Sequence, residues 1–191
     1  MHGRGGQRHH KEQTVSHNFG KMLASAGQFS ILYGENMLKG VSAAQFARLA
    51  IGKDGQPVQS NHPAWVYGHL ATYTSRCMEL LGQPVGVCAK PAGWDELFKN
   101  GTECKDDPSG MIYPKMEAIT SHYLNGYKAV LAALPGVADE VFTGPNPAEG
   151  RMKELFPTIG GVVGFLVTGH PMSHLGQASA WRRFMGLGSA M

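Results

Sequence analysis

Three histidines are the residues of this chain best suited to do chemistry together. His170 and His174 are four positions apart, and on a helix that spacing puts both imidazoles on one face, where they can bind one metal ion. His69 lies on the apolar face of a different predicted helix, where an unpartnered polar group is costly to bury. A three-histidine set leaves positions for water or substrate, which is typical of catalytic metal sites. The spacing equally allows structural histidines that are hydrogen-bonded within the core.

Four further residues are candidates for roles around this site. Gln177 could hydrogen-bond to a metal-binding histidine, or be a polar residue at the edge of its helix face. His122 is a reserve ligand, with a surface or hydrogen-bonded role as the alternative. Glu35 is the one acid that the pattern allows to face the core, as a base or as a partner of the ligands, and a solvated helix face is the alternative. Pro171 lacks a backbone donor and disfavours helical geometry at His170, so we expect a kink there.

Other kinds of active site lack support in the sequence. It contains no nucleophilic Ser or Cys motif, no phosphate-binding glycine loop and no pair of carboxylates on one helix face. The odd number of cysteines, without CxxC spacing, argues against a disulfide framework and fits a reducing compartment; the three are Cys77, Cys88 and Cys104. The net charge is +3 and the basic residues are scattered, so we expect no nucleic-acid partner.

Four long amphipathic segments supply the elements that must position these residues. Apolar residues recur along each of them every three or four positions, which is the helical period. The predicted helices cover residues 17–39, residues 60–81, residues 113–134, and a fourth segment that begins between 151 and 157 and ends near 185. In the first helix, the stripe expected to face the core is Phe19, Met22, Leu23, Ala26, Phe29, Tyr33 and Met37. Without alternating strand runs or a βαβ pattern, the sequence predicts an all-α helical bundle.

The connections between these helices differ in length. Residues 42–50 are predicted to add a short helical segment, and a loop rich in Gly and Pro follows at 52–57. Residues 83–110 also contain several Pro and Gly residues and are predicted to form a long ordered loop between the second and third helices. Trp94, Leu97 and Phe98 are its candidate attachment points to the bundle.

The chain is expected to form one domain, covering residues 17–191. Residues 1–16 are rich in Gly, His and Arg, have no apolar period and are predicted to be a flexible tail, where His9 and His10 could bind stray metal. The tail lacks the apolar region of a secretory signal. The longest apolar stretch, residues 159–167, is far shorter than the roughly 20 residues that cross a bilayer. We therefore expect a cytoplasmic protein without a membrane partner.

Several segments together resemble the DinB-like superfamily. They are NHPAWVYGHLATY (61–73), WDELFKNGT (94–102), the YP pair at 113–114, and GHPMSHLGQASAWRR (169–183). The resemblance covers most of residues 17–187. Its most specific pieces are Gly68-His69-Leu70 in the second helix and the HxxxHxGQ pattern from His170 to Gln177 in the fourth.

The resemblance implies a fold, a ligand set and a range of activities. The fold would be an up-and-down four-helix bundle, often a homodimer. His69, His170 and His174 would bind a divalent metal ion, most readily zinc or nickel, with iron also possible. Several members of the family resemble transferases that activate a low-molecular-weight thiol, others hydrolyse or isomerise small molecules, and many have no assigned activity.

Three functional hypotheses follow. In the leading one, the metal lowers the pKa of a bound thiol or water, and the enzyme transfers the thiol to a small electrophilic substrate. In the second, a hydrolase uses water as the nucleophile and needs a nearby base, for which Glu35 is the candidate. In the third, the bundle binds a metal or small molecule without catalysis. The third is favoured if protein fills the fourth coordination position, for example through His122.

Overall fold

The computed structural model describes residues 16–190, and this part of the chain is all-α, without β-strands. The helices are α1 (Asn18–Met37), α2 (Ala43–Phe46), α3 (Pro63–Leu80), α4 (Trp94–Phe98), α5 (Met116–Ala133), α6 (Asp139–Thr143), α7 (Arg151–Leu155), α8 (Ile159–Val167) and α9 (Gly169–Phe184). The predicted flexible tail lies outside the described residues except for Ser16, whose hydroxyl donates to Asp139 Oδ2 at 2.5 Å. The first three predicted helices are confirmed as α1, α3 and α5.

Helix α3 is the central element of the core and packs along α5. Most of its residues are buried, because α1, α5, α8 and α9 all contact it or its neighbours. Two glycines allow close approach: a Cβ at Gly126 of α5 would lie 2.7 Å from Thr74 Oγ1, and a Cβ at Gly68 would overlap the ring of Phe98. The ring of Phe98 therefore occupies the space that a side chain at residue 68 would need, which fixes the long loop against α3.

Helix α1 buries several small residues, and the predicted buried stripe of this helix is only partly right: Met37 is buried and Leu23 and Tyr33 are partly buried, whereas the other large members of the stripe are exposed. Gly20, Gly27 and Gly34, each seven residues apart, face the core. A Cβ at Gly27 would lie 2.5 Å from Leu131 Cδ2, and one at Gly34 would lie 2.6 Å from the Tyr123 hydroxyl oxygen. The glycines bring the α1 backbone close to α5, and Ile31 and Met37 are the large apolar residues of this helix that are also buried. The large residues that remain exposed are Phe19, Met22, Phe29 and Leu32.

The fourth predicted helix is wrong as a single element, since it is divided into α7, α8 and α9. Pro157 disfavours helical geometry at the residue before it and separates α7 from α8. Thr158 then caps α8 by accepting a hydrogen bond from Gly161 N at 3.1 Å. The second break is at Thr168, whose φ of −128° and ψ of −76° are not helical. It precedes Pro171, which has no N–H to donate to the carbonyl of residue 167.

Tertiary contacts satisfy the carbonyl groups that this second break leaves free. The hydroxyl of Ser30 on α1 donates to Val167 O at 3.0 Å, and the hydroxyl of Tyr127 on α5 donates to Leu166 O at 3.2 Å. Pro171 itself lies in the first turn of α9, where a backbone N–H has no partner within the helix. The kink expected at Pro171 is thus a full break, about one turn earlier, that starts a new helix.

The two long connections contain short helices. The predicted loop at 83–110 holds a 3₁₀ turn (Gly86–Cys88) and α4, and the side chains of Trp94 and Phe98 are buried, as expected for its attachment points. The connection after α5 contains α6, which the sequence did not predict; its Phe142 is buried. Among residues 16–190, no helix combines the length and the apolar character needed to cross a membrane.

Candidate metal centre

The structure brings His69, His170 and His174 together. One nitrogen from each ring belongs to a set of atoms that all lie within 4.8 Å of one another. His69 comes from α3 and is 2% exposed, whereas the other two come from α9 and are 8% exposed and partly exposed, respectively. Within the described residues, no other His, Cys, Asp or Glu belongs to the cluster. Three imidazoles from two helices therefore could hold one metal ion.

Contacts at the far end of α9 hold this helix in register. The indole of Trp181 donates to Arg48 O at 2.7 Å. The buried guanidinium of Arg182 donates to Met37 O at 3.0 Å and to Lys39 O at 2.5 Å, and so caps the C-terminus of α1. Together with the break at Thr168, these contacts fix the first turn of α9 beside α3.

Hydrogen bonds fix the tautomers of two of the histidines. His69 Nδ1 lies 2.7 Å from Phe98 O, and His174 Nδ1 lies 3.1 Å from Gln177 Oε1. Both partners are oxygens that only accept, so each Nδ1 carries the proton and each Nε2 keeps a lone pair free for a metal. Asn61 Nδ2 donates to the same Oε1 at 3.0 Å, which fixes the orientation of the Gln177 amide. Gln177 therefore contacts His174, one of the candidate ligands.

The third histidine, His170, faces His69 directly. Their Nε2 atoms are 3.2 Å apart. Two metal–nitrogen bonds of about 2.05 Å at a tetrahedral angle would separate the nitrogens by about 3.3 Å, so the spacing suits a shared ion. The Nδ1 atom of His170 is buried and has no hydrogen-bond partner. Without a metal, His170 Nε2 must carry the proton shared with His69, and its Nδ1 is then a buried acceptor without a donor, which is unfavourable.

Aromatic rings surround the cluster. Trp65 stacks on His69 with ring centroids 4.5 Å apart and an interplanar angle of 11°. Tyr73 meets His69 and His170 edge-on, at 5.1 and 4.7 Å between centroids, and Phe165 lies 5.4 Å from His170. None of these three residues was predicted to belong to the site. Trp65 and Tyr73 are four positions before and after His69, the spacing of neighbours on one helix face, and that signal could have identified them.

This environment keeps the imidazoles neutral. Burial lowers the pKa of His170 to about 3 and that of His69 to about 4, although the hydrogen bond to Phe98 O partly opposes the second shift. Burial also lowers the pKa of His174. Neutral imidazole is the form that binds metal ions, so the cluster is ready to bind one at neutral pH without losing a proton.

Two of the candidate residues lie apart from the cluster. Glu35 is exposed and its carboxylate pairs with Lys128 Nζ at 3.1 Å, so it occupies the solvated helix face that was its alternative. His122 packs edge-on against Trp94, with 4.8 Å between ring centroids. Its Nε2 is buried without a partner, and burial lowers its pKa. Neither residue is among the atoms that converge with the three histidines.

His62 has a structural role at the start of α3. Its Nδ1 accepts from Trp65 N at 3.2 Å, and its Nε2 donates to Lys105 O at 2.9 Å. The ring of His62 is thus the N-terminal cap of α3. This capping contact also places the Trp65 indole, whose ring covers His69.

The cysteines take no part in the cluster. All three are free thiols; Cys77 and Cys88 are buried and Cys104 is partly buried. Burial raises the pKa of Cys77 and of Cys104 to about 12, so both stay protonated at neutral pH. Neither is suited to act as a thiolate nucleophile or ligand.

No protein-family model matches the chain, and no curated protein shows significant similarity to it.

Proposed function

We propose that this protein is a metal-dependent enzyme of the DinB-like kind that activates a thiol, or else water, for transfer to a small molecule. One divalent ion would be held by His69, His170 and His174. The observation that carries the proposal is the convergence of three neutral imidazoles in one buried cluster. Three protein ligands leave room for an exogenous ligand, as catalytic sites require.

The proposed architecture is an up-and-down four-helix bundle. Its members would be α1, α3, α5 and the pair α8–α9, with the pair taking the place of one long helix. Contacts of α3 with α5 and α9, and of α1 with α5 and α9, support this arrangement. A ligand site between two facing helices is common in such bundles.

The donor set fits zinc or nickel best, and iron is also compatible. Imidazole nitrogens suit all three ions, so availability would decide among them. A bound divalent ion would supply Lewis acidity, which lowers the pKa of a coordinated thiol or water. The protein would orient the imidazole rings and exclude water from the site. Phe98 O and Gln177 hold two of the rings, and the rings of Trp65, Tyr73 and Phe165 exclude water, which strengthens electrostatic interactions in the site.

The available side chains favour thiol transfer over hydrolysis. Hydrolysis with water as the nucleophile needs a general base, and the cluster includes no carboxylate within the described residues. Glu35, the base suggested by the sequence, is paired with Lys128 at the surface. A thiol activated as a thiolate needs no such base during attack. The absence of His122 from the cluster likewise favours an open site over a closed, non-catalytic one.

We also propose a homodimer formed through the outer face of α1. We use that name for Phe19, Met22, Phe29 and Leu32, which are between 43% and 61% exposed. An apolar surface of this kind on one helix is typical of an interaction site. Within this face, Phe19, Met22 and Phe29 are three and then seven residues apart, so they lie along one side of α1, where two copies can pack against each other about a twofold axis.

Metal content tests the proposed site. The untagged protein is purified beside a His170→Ala/His174→Ala variant and a His122→Ala control, each offered zinc and then nickel. We expect about one ion per chain in the wild type and the control, and none in the double variant. Absence of bound metal from the wild type would overturn the proposal. Metal-dependent transfer of a low-molecular-weight thiol to an electrophile is then the activity to measure.

A further inference from the structure

An open surface pocket of about 280 Å³ shares one residue, Tyr73, with the surroundings of the candidate metal centre. It lies between α3 and α4, and Tyr73 belongs both to its wall and to the ring of aromatics around the histidines. Within the described residues, the Tyr73 hydroxyl has no hydrogen-bond partner. It is therefore free to donate to a molecule bound in the cavity. The volume is at the lower end of ligand sites, so the occupant is small.

Most of the charged side chains that line this cavity form ion pairs, but one lysine does not. Lys90 Nζ contacts Asp95 Oδ1 at 2.6 Å, and Arg76 contacts Glu79 at 3.4 Å. Lys99 also lines the cavity, and its ammonium has no ion-pair or hydrogen-bond partner among residues 16–190. The wall thus carries one excess positive charge, close to a tyrosine hydroxyl that is free to donate.

We propose that the small molecule activated at the metal centre carries an anionic group, in the simplest case a carboxylate, held by Lys99 and the Tyr73 hydroxyl. This inference rests on the proposed metal site and defines the substrate class for it. A lysine ammonium and a phenol hydroxyl are both donors that suit a carboxylate. The reactive end of the molecule would then be directed past the Tyr73 ring to the three histidines.

Cobalt(II) provides a direct measure of thiol binding, because a thiolate on cobalt gives a charge-transfer absorption band. Cobalt-loaded protein is titrated with 3-mercaptopropionate and with the longer 6-mercaptohexanoate, each beside its neutral amide. The same titrations are run on Lys99→Gln and Tyr73→Phe variants, and on Lys53→Gln, an exposed lysine outside the cavity, as the matched control.

We expect at least one of the two acids to bind about fivefold more tightly than its amide. The preference should disappear in Lys99→Gln, shrink in Tyr73→Phe, persist in Lys53→Gln, and weaken as salt is added. Affinity for the amides should stay unchanged in Lys99→Gln, which separates a charge effect from misfolding.

The possible failures are distinguishable. If the thiols produce the absorption band but acids and amides bind equally, or Lys99→Gln keeps the preference, the inference is overturned and the metal proposal stands. If cobalt binds and neither thiol produces the band, both thiol activation and this inference are overturned. If cobalt does not bind, the proposed metal site itself is wrong.

Discussion

At the scale of single residues, the histidines depend on neighbours that hold their protons. His69 and His174 each donate from Nδ1 to an oxygen, which leaves Nε2 exposed to the ligand position. Such partners typically change metal affinity by about 10- to 100-fold. Of these two contacts, only the one between Gln177 and His174 can be removed by mutation, because the partner of His69 is a backbone carbonyl.

Replacing Gln177 by Leu is expected to weaken zinc binding about tenfold, because His174 loses the acceptor that fixes its tautomer. Gln177→Glu retains an acceptor at this position and should keep most of the affinity. Competition with a chelating indicator measures both variants. Equal affinities for the Leu variant and the wild type would show that the contact does not orient the ligand.

The stability of the metal-free protein should fall in mild acid. Above about pH 6.5, histidines are neutral in both folded and unfolded chains. At lower pH the unfolded chain takes up protons, while His69 and His170 stay neutral in the folded protein until about pH 4 and about pH 3. The free energy of unfolding should therefore fall by about 1.4 kcal/mol per pH unit for each of them.

Urea unfolding of chelator-treated protein, from neutral pH to about pH 4.5, measures this dependence. A His170→Gln variant should have a slope smaller by about 1.4 kcal/mol per pH unit, since one linked proton is lost. An unchanged slope in that variant would contradict the burial of a neutral imidazole at this position.

The clustering of the three histidines could be predicted from the sequence, but their hydrogen-bonding partners could not. Spacing on a helix and position on an apolar face identified His69, His170 and His174. The acceptor for His69 is the backbone carbonyl of Phe98, and any residue type supplies a carbonyl. Asn61 is far from Gln177 in the chain and contacts it only after α9 packs on α3.

At the scale of helices, α1 shows how close backbone approach reverses a hydrophobic pattern. The pattern indicated that its large apolar residues face the core, because such residues are usually buried. The structure instead buries Gly20, Gly27 and Gly34 and leaves Phe19, Met22 and Phe29 exposed. Hydrophobic periodicity identifies a buried face by its large apolar side chains. It therefore does not identify a face of glycines, whose backbone makes the contacts.

Replacing Gly34 by Ala is expected to destabilise the protein by about 1–3 kcal/mol, since the new methyl would collide with the buried Tyr123. Gly176 provides the matched control, because it lies within α9 and a Cβ there meets nothing within 4 Å. Gly176→Ala should therefore stabilise the protein by about 0.5–1 kcal/mol, through helix propensity alone. Thermal or urea unfolding compares the two, and a stabilising Gly34→Ala would refute the close packing.

The break before α9 is the second element-scale difference from the sequence prediction. Pro171 signalled a kink, yet the position of the break also depends on Ser30 and Tyr127, which donate to the carbonyls freed at residues 166 and 167. Those donors belong to other helices. The sequence of one segment therefore indicates that a helix is interrupted, and tertiary contacts decide at which residue.

At the scale of the whole molecule, the outer face of α1 is expected to mediate self-association. A Met22→Glu/Phe29→Glu variant places charges in this face and should be monomeric by light scattering, whereas the wild type should be dimeric. Met111→Glu is the control, because Met111 is 84% exposed and lies elsewhere in the chain. A monomeric wild type, or a dimeric double variant, would contradict the proposed interface.

The general architecture could be predicted from the sequence, as far as the class of fold is concerned. The periodic segments that became α3 and α5 were recognisable because their large apolar residues do face the core. Helix α6 was not, since it is short and lies among turn-forming residues. The helical content could therefore be predicted from the sequence. The packing of one helix against the next could not, because it depends on glycine contacts between segments far apart in the sequence.

The three clustered histidines come from two helices that are far apart in the sequence, which sets the order in which they are synthesised. His69 and His170 are 101 positions apart, so a ribosome working at about 5–20 residues per second makes the second roughly 5–20 s after the first. Throughout that interval the emerging chain lacks two of its three imidazoles. If the proposed metal site exists, ion capture there follows the docking of α9 on α3, so metal loading would be a late maturation step and a marker of completed folding.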